Sequence, residues 1–301
     1  MLNLFKNSEV AYVINWKFHK KNKWVSALTP YLINEIVRNF TPLIIENQFE
    51  YSLNKKKIKY IISSEPGWSS KFITYDTNRK HIIFMFCSDP HNKIGWLEEY
   101  VQKNNISYIL SYYYNPFLYH FPNFPKDKII HFPWAIPDNF VVKEDDIKVR
   151  NDNVVIFGGS QSDAYDFRNW CRNHPDVINY NFSGVENKKL SDSEYFIWLS
   201  QFDAIVAAGS TNPKYDLVTP KYFEILSSGA LLIGQYCKDL DLLGLKHKEN
   251  CLIFKDKDEF NQIIKQYKKN PDKYIEIRKN GLNLIKERHC ISHRIQLLKS
   301  F

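Results

Sequence analysis

The sequence predicts an α/β protein made of two similar halves in tandem, each a parallel sheet covered by helices. Three observations predict it. Short apolar runs alternate with helical patterns along the chain, as strands joined by crossover helices require. A turn-rich, mixed-charge stretch at residues 133–153, PWAIPDNFVVKEDDIKVRNDN, interrupts that alternation. The chain has 301 residues, 44% of them apolar, enough to bury the cores of one large or two ordinary domains and to exclude disorder as the main state.

In the first half, strands are expected at residues 11–15, 43–46, 60–63, 81–87, 108–111 and 129–132, which together complete one doubly wound sheet. Helices are expected at residues 25–39 and 94–103, the second stopped by Asn104 and Asn105. The interrupted stretch carries prolines and mixed charge unsuited to a strand or a buried helix, so the domain boundary is placed there, giving domains 1–138 and 139–301. The alternation then restarts with strands at 154–157, 178–182, 204–208, 231–234 and 251–254 and helices at 163–173, 191–201 and 220–228. The remaining residues read as helices only, at 258–269, 271–287 with Pro271 in its first turn, and 292–299. A terminal helix of the second half is a candidate to cross back onto the first. No repeat or heptad series is present, which excludes a solenoid.

The net charge is +8. Residues 1–59 hold ten basic and four acidic side chains, so an anionic partner is expected at the N-terminal region. Five cysteines without C-x-x-C spacing suggest a reducing compartment and no structural zinc. The first residues lack a basic stretch followed by a long apolar one, and no run reaches the ~18 apolar residues of a membrane span. A soluble, cytoplasmic protein is expected, with a membrane surface as a compatible address.

The most informative segment is residues 212–235, NPKYDLVTPKYFEILSSGALLIGQ. Thr219 is an N-cap candidate, Pro220 suits the first helical position, Phe223, Ile225 and Leu226 supply an apolar face, and Gly229 stops the helix. Its N-terminus offers backbone N–H groups and a positive dipole end to an anion. Lys221 stands in the first turn, where a cation opposes the dipole unless a phosphate sits there. Glu224, one turn in, is placed to accept hydrogen bonds from vicinal sugar hydroxyls. On pattern alone, an amphipathic helix with surface charges fits equally.

Other candidates close expected strands. Val154 to Ser160 is a strand running into Gly158, Gly159 and Ser160, where glycine lets backbone approach a phosphate. Arg168 follows and is a diphosphate contact or a surface arginine. In the first half, Cys87-Ser88-Asp89-Pro90-His91 closes the fourth strand at the edge where open α/β sheets place ligands. As a histidine, His91 is of the residue type that suits a catalytic base or an acceptor-positioning group; an Asp-Pro turn with a solvent histidine is the plainer reading. Glu65-Pro66-Gly67-Trp68 ends the preceding strand and is a weaker candidate for an acceptor wall. The run Lys17-Phe18-His19-Lys20-Lys21-Asn22-Lys23-Trp24 suits an acidic or phosphorylated glycan, an anionic membrane or nucleic acid, with Lys20, Lys21 and Lys23 as the binding cations. Lys55 to Lys59 reads as a solvated loop. His120, His131, His174, His247, His289 and His293 have no metal-ligand spacing.

The segment around Asp216 and Glu224 resembles the donor motif of GT-B glycosyltransferases, in particular the glycosyl transferases group 1 type with its spore-maturation-protein-like members. Retaining members carry two carboxylates eight positions apart; here these are Asp216, in place of the usual Glu, and Glu224, followed by Ser227, Ser228, Gly229 and an apolar strand. Tyr165-Asp166-Phe167-Arg168 resembles a Tyr-Pro-x-Arg element of the same proteins, with Asp166 replacing Pro, and Asp89-Pro90-His91 resembles their Asp-x-His element.

The resemblance implies two Rossmann-like domains facing across a cleft, the first binding an acceptor and the second a nucleotide sugar. It implies transfer of a sugar, a hexose or a relative, in polysaccharide biosynthesis, from a nucleoside diphosphate sugar (UDP or GDP) to a glycan, lipid-linked or protein acceptor. Retention is suggested by the two carboxylates. On this reading Asp89, His91 and Asp216 are catalytic; Gly158, Gly159, Ser160, Arg168, Lys214, Thr219, Lys221 and Glu224 bind donor; Lys20, Lys21, Lys23 and Glu65 bind acceptor. No cofactor or metal is expected, because helix N-termini and Lys214 and Lys221 neutralise the leaving diphosphate. Peripheral membrane contact is compatible with the basic run. Two alternatives remain: a non-enzymatic binder of RNA or an acidic glycan, against which stand the modest charge and the lack of an RNA-recognition signature, and a sugar-nucleotide epimerase, which needs paired carboxylates and histidines where one histidine is assigned.

Overall fold

The computed structural model describes residues 9–21, 26, 28–158, 163–180 and 190–301. They form two compact units, the first from the other described residues up to Pro133, the second from Trp134 to Phe301 together with Ser26 and Leu28.

The first unit is built on a six-stranded sheet with order β2-β1-β3-β4-β5-β6 and every pairing parallel. Its strands are β1 (Val10–Val13), β2 (Leu43–Ile45), β3 (Tyr60–Ser63), β4 (Ile82–Cys87), β5 (Tyr108–Ser111) and β6 (Ile129–His131). The register runs Tyr60↔Ile82 to Ser63↔Met85 between the central pair. Both faces of β4 are covered, which is why its sequence is a continuous apolar run rather than an alternating one: Ile83, Met85 and Cys87 enter one core with Ala11, Val13 and Ile61, while Phe84 and Phe86 are buried on the other side.

Three short helices here had no counterpart in the sequence reading. α1 (Trp16–Lys21) turns the basic aromatic run into a helix, started by Asn15, whose side chain accepts from the Phe18 N–H at 3.0 Å. α2 spans Leu28–Phe40. α3 (Gln48–Asn54) is capped by Asn47, which accepts from Glu50 N, while Glu50 accepts from Glu46 N at 2.6 Å. α4 is Leu97–Lys103, starting three residues later than residue 94, and α5 is Tyr114–His120. At six or seven residues, α1, α3 and α5 are too short to print a clear helical period.

The second unit carries a five-stranded parallel sheet, order β11-β10-β9-β7-β8, made of β7 (Val154–Phe157), β8 (Val177–Tyr180), β9 (Ala204–Ala207), β10 (Leu231–Gln235) and β11 (Leu252–Phe254). Its strands separate two cores with period two: Val155, Phe157, Ile205, Ala207 and Leu232 face one, and Val154, Ile156, Ala204, Val206 and Leu231 the other. Its helices are α6 (Asp166–Arg172), α7 (Asp192–Leu199), α8 (Pro220–Ser227), α9 (Lys257–Lys269), α10 (Ile275–Arg288) and α11 (Ile291–Lys299). Ser191 and Glu194 close a capping box on α7. Pro271 opens a 3-10 turn, Pro271–Tyr274, so the helix expected at 271–287 begins at Ile275. Between β6 and β7 the chain makes only 3-10 turns, at Asp138–Phe140 and Glu144–Asp146.

Each sheet has one place where the strand order reverses direction: between β1 and β3 in the first, and between β7 and β9 in the second. Open α/β sheets bind ligands beyond the carboxyl ends of the strands at such points. All five cysteines are free and buried. No helix among the described residues is long and apolar enough to cross a membrane.

Candidate functional site

At the β7/β9 switch point, β7 ends at Phe157 and is followed by Gly158, whose φ of +92° is the left-handed conformation that favours glycine. The Gly158 carbonyl accepts from the Arg172 guanidinium, which is buried beneath it. Gly159 and Ser160 lie outside the described residues, as does Lys23; of Lys20 and Lys21 only the helical backbone is described.

α8 brings the resemblance motif to the same edge. Thr219 holds the N-cap position with extended backbone, but its side chain makes no capping bond, a correction to the expected cap; Pro220 fills the first turn. Lys221 lies flat, its Nζ 3.9 Å from the centroid of the Phe157 ring. The same ammonium donates to Tyr195 Oη at 3.1 Å and stands 3.9 Å from the Glu224 carboxylate. Tyr195, on α7, donates to Glu224 Oε2 at 2.8 Å. Glu224 is only 4% exposed, so it is not the surface charge of a plain amphipathic helix.

The loop after β9 is tied down on both sides. The side chain of Gln235, at the end of β10, accepts from Gly209 N at 2.8 Å and donates to Ser210 O at 2.7 Å. Asp166, in the first turn of α6, accepts from Ser210 Oγ and Thr211 N, each at 2.8 Å, and from the Thr211 hydroxyl. Burial opposes its charge, yet the Thr211 and Ser210 bonds outweigh burial and hold its carboxyl below the usual range. That bracing gives Asp166 a local structural role in tying the loop after β9 to α6. Arg168 is buried, its Nε donating to Ala208 O at 2.7 Å and its guanidinium 4.1 Å from the Tyr165 ring; it supports the loop from below.

Lys214 lies 5.4 Å from the Tyr215 ring in a 3-10 turn, Pro213–Tyr215. Asp216 follows, half-buried, and accepts from Lys238 N at 3.3 Å. Burial pushes its carboxyl up, against the pull of the Lys238 N–H and the Cys237 thiol.

In the first unit the loops at the carboxyl edge are tied to one another. Glu65, after β3, accepts from Ser88 N at 2.7 Å and Ser88 Oγ at 2.6 Å and pairs with Lys93. Glu65 and Lys93 are both buried. The structure therefore gives Glu65 the job of holding the loop after β4. That loop carries Asp89, whose carboxyl is pushed up by burial and then by the Glu65 charge, with Lys93 pulling the other way. Pro90 to Asn92 form a 3-10 turn. His91 stands half-buried with its ring 6.2 Å from that of His120, at the end of α5.

The sequence reading missed Tyr195, Phe157, Lys93 and His120. Tyr195 is 29 positions from Glu224, and the Ser191 capping box announces its helix but not its face. No group of three or more metal-ligating side chains is found among the described residues.

A family model described as glycosyl transferase-like matches residues 146–300, just over half of the chain and all of the α6–α8 geometry above. The chain belongs to this family. Solved structures agree in fold. This glycosyltransferase is similar to Anabaena Alr3699/HepE, solved with UDP, at a TM-score of 0.59 and 11% identity over 97% of this chain and 98% of that one. It is similar to a glycosyltransferase from Rickettsia africae (TM-score 0.57, 8% identity, 97% and 96% covered). It also resembles sucrose-phosphate synthase from Thermosynechococcus elongatus (TM-score 0.54, 9% identity, 95% and 78% covered). None of the curated proteins matches. The two parallel sheets are those of the GT-B fold, and the protein is a glycosyltransferase.

Proposed function

We propose that this glycosyltransferase moves a sugar from a nucleoside diphosphate sugar, with UDP as the nucleotide, to a glycan or lipid-linked acceptor, without a metal ion and with retention at the anomeric carbon. The observation that carries the reading is Lys221 lying over Phe157 and bonded to Tyr195: it joins the end of β7 to the first turn of α8 and sets an ammonium beside buried Glu224. UDP is favoured because Anabaena HepE has been solved with UDP and with UDP-glucose.

The second unit is assigned the donor. The N–H groups opening α8 and the backbone at Gly158 meet the diphosphate, and Lys221, with Lys214, supplies the positive charge that a metal would otherwise bring. Glu224, oriented by Tyr195, accepts from the ribose hydroxyls. Asp216 is assigned to the donor sugar. The first unit is assigned the acceptor, with His91 orienting its hydroxyl and Asp89 beside it. Transfer breaks the bond from the anomeric carbon to the β-phosphate oxygen and forms one to the acceptor oxygen. With retention, the acceptor proton passes to the departing phosphate on the same face of the sugar.

The test is a thermal-shift and donor-hydrolysis series with UDP, GDP, ADP and CMP and their sugar conjugates on wild type and Glu224→Gln. UDP at a hundredfold excess over its Kd is expected to stabilise the wild type by about 2.7 kcal/mol, and the variant to lose most of that while folding normally. If no nucleotide shifts the wild type, the reading fails.

A further inference from the structure

The first unit carries an aromatic pair that packing alone does not account for. Phe18 stands on α1, directly after β1, and Trp68 stands on the loop after β3, so the pair sits at the β1/β3 switch point, where this sheet is expected to bind its ligand. Their rings meet edge to face, centroids 6.4 Å apart at 65°. Trp68 nevertheless remains 61% exposed.

Its loop is held rigidly. Ser69 N and Ser70 N both donate to Glu65 O at 3.0 Å, Gly67 N donates to Ser70 O at 3.0 Å, and Asn15 N donates to Ser69 O at 2.8 Å, tying the loop to the end of β1. Gly67 has φ +80°, and a Cβ there would come within 3.2 Å of the Phe72 ring. The indole is thus presented to solvent by a fixed turn.

We propose that Trp68, backed by Phe18, is a stacking platform for a pyranose ring, which makes the acceptor of this enzyme a saccharide; the proposal rests on the transfer reading above. The C–H-lined face of a pyranose is apolar and slightly positive, and it complements the negative face of an indole, as an aromatic edge does. A lipid surface is the competing occupant, since Phe72 in the same loop is also 53% exposed; interfacial binding needs a broad apolar face, whereas a single flat indole fixed at the sheet's switch point matches one sugar ring.

The platform is tested on the full chain labelled with 5-fluorotryptophan, the Trp68 resonance being assigned by its loss in Trp68→Phe. The probes are β-1,4-linked oligosaccharides of glucose, N-acetylglucosamine and galactose, a uronic-acid oligomer, and vesicles containing anionic lipid. A saturable shift of the Trp68 signal with at least one oligosaccharide is expected. In transfer assays to that oligosaccharide, Trp68→Ala is expected to raise the acceptor KM about tenfold, with donor hydrolysis and the UDP-induced thermal shift unchanged and with Trp68→Phe partly restored. No response to any sugar, or a response to vesicles alone, overturns the platform while leaving the donor reading standing. A sugar response in a protein that binds no nucleotide supports the platform and sinks the transfer reading instead, so the two failures are distinguishable.

Discussion

The two units share a sheet architecture but differ in where their most buried acid–base pair lies. In the first, the buried pair Glu65–Lys93 lies at the carboxyl edge, among the loops assigned to the acceptor. In the second, where Glu224, Arg168 and Arg172 are also buried at the carboxyl edge, the most buried pair, Asp203–Arg278, lies at the amino edge. There Asp203, just ahead of β9, accepts from Arg150 N at 2.6 Å and Asn151 N at 3.0 Å and pairs with Arg150 and Arg278, while Arg278 also donates to Gly229 O, just ahead of β10. Charge has been used where the chain needs tying. Glu65 ties the loop after β3 to the loop after β4, whereas Lys221 and Glu224 stand on one helix, held by Tyr195 and Phe157. On the proposed assignment, the acceptor site is a braced assembly of loops and the donor site one contiguous segment.

The largest test of this contrast is Arg278→Ala. It leaves Asp203 buried with less compensation and strips a donor from Gly229 O, so a loss of about 3–5 kcal/mol is expected in denaturant unfolding. A loss under about 1 kcal/mol would remove the amino-edge cluster as the second unit's tie. Lys93→Met is expected to cost less, about 2–3 kcal/mol, because Glu65 keeps its two Ser88 bonds; acceptor KM should rise while the UDP-induced shift stays. Equal damage to donor binding would contradict the division of labour.

A smaller effect concerns His289, buried, with Nδ1 accepting from Arg294 and Nε2 donating to Leu243 O. Burial, then the Arg294 charge, push it down to about 3. The unfolded chain therefore binds the proton first, and stability falls as pH drops from about 6.5 towards 3. His289→Gln should flatten that slope in thermal melts run across the window. The smallest effect expected is that of Asp89→Asn. The raised carboxyl of Asp89 makes its charged form a cost to the fold at neutral pH. The variant should melt slightly higher than wild type at pH 7, with the gain vanishing as pH falls below the raised value. A gain that persists in acid would assign it to something other than the buried charge.

Much of the fold was legible because a strand buried on both faces must be apolar throughout: Tyr60–Ser63, Tyr108–Ser111 and Val154–Phe157 appear in the structure with the bounds their sequence suggested. The helix at Pro220 was equally plain, from its proline and from the glycine that ends it. Short helices such as Trp16–Lys21 and Tyr114–His120 were not, since fewer than two turns carry almost no period. At the site, the sequence by itself placed Asp216, Lys221 and Glu224 within one segment and His91 at a strand end, because local spacing sets where such residues emerge from a sheet. The tertiary structure alone decided that Tyr195 would hold Glu224, that Lys221 would rest on Phe157, that Glu65 would turn inward to Lys93 and that Trp68 would stay in solvent. Each of these joins or separates residues far apart in the chain, and such distances are set by how helices and loops pack on a sheet, which no local pattern encodes.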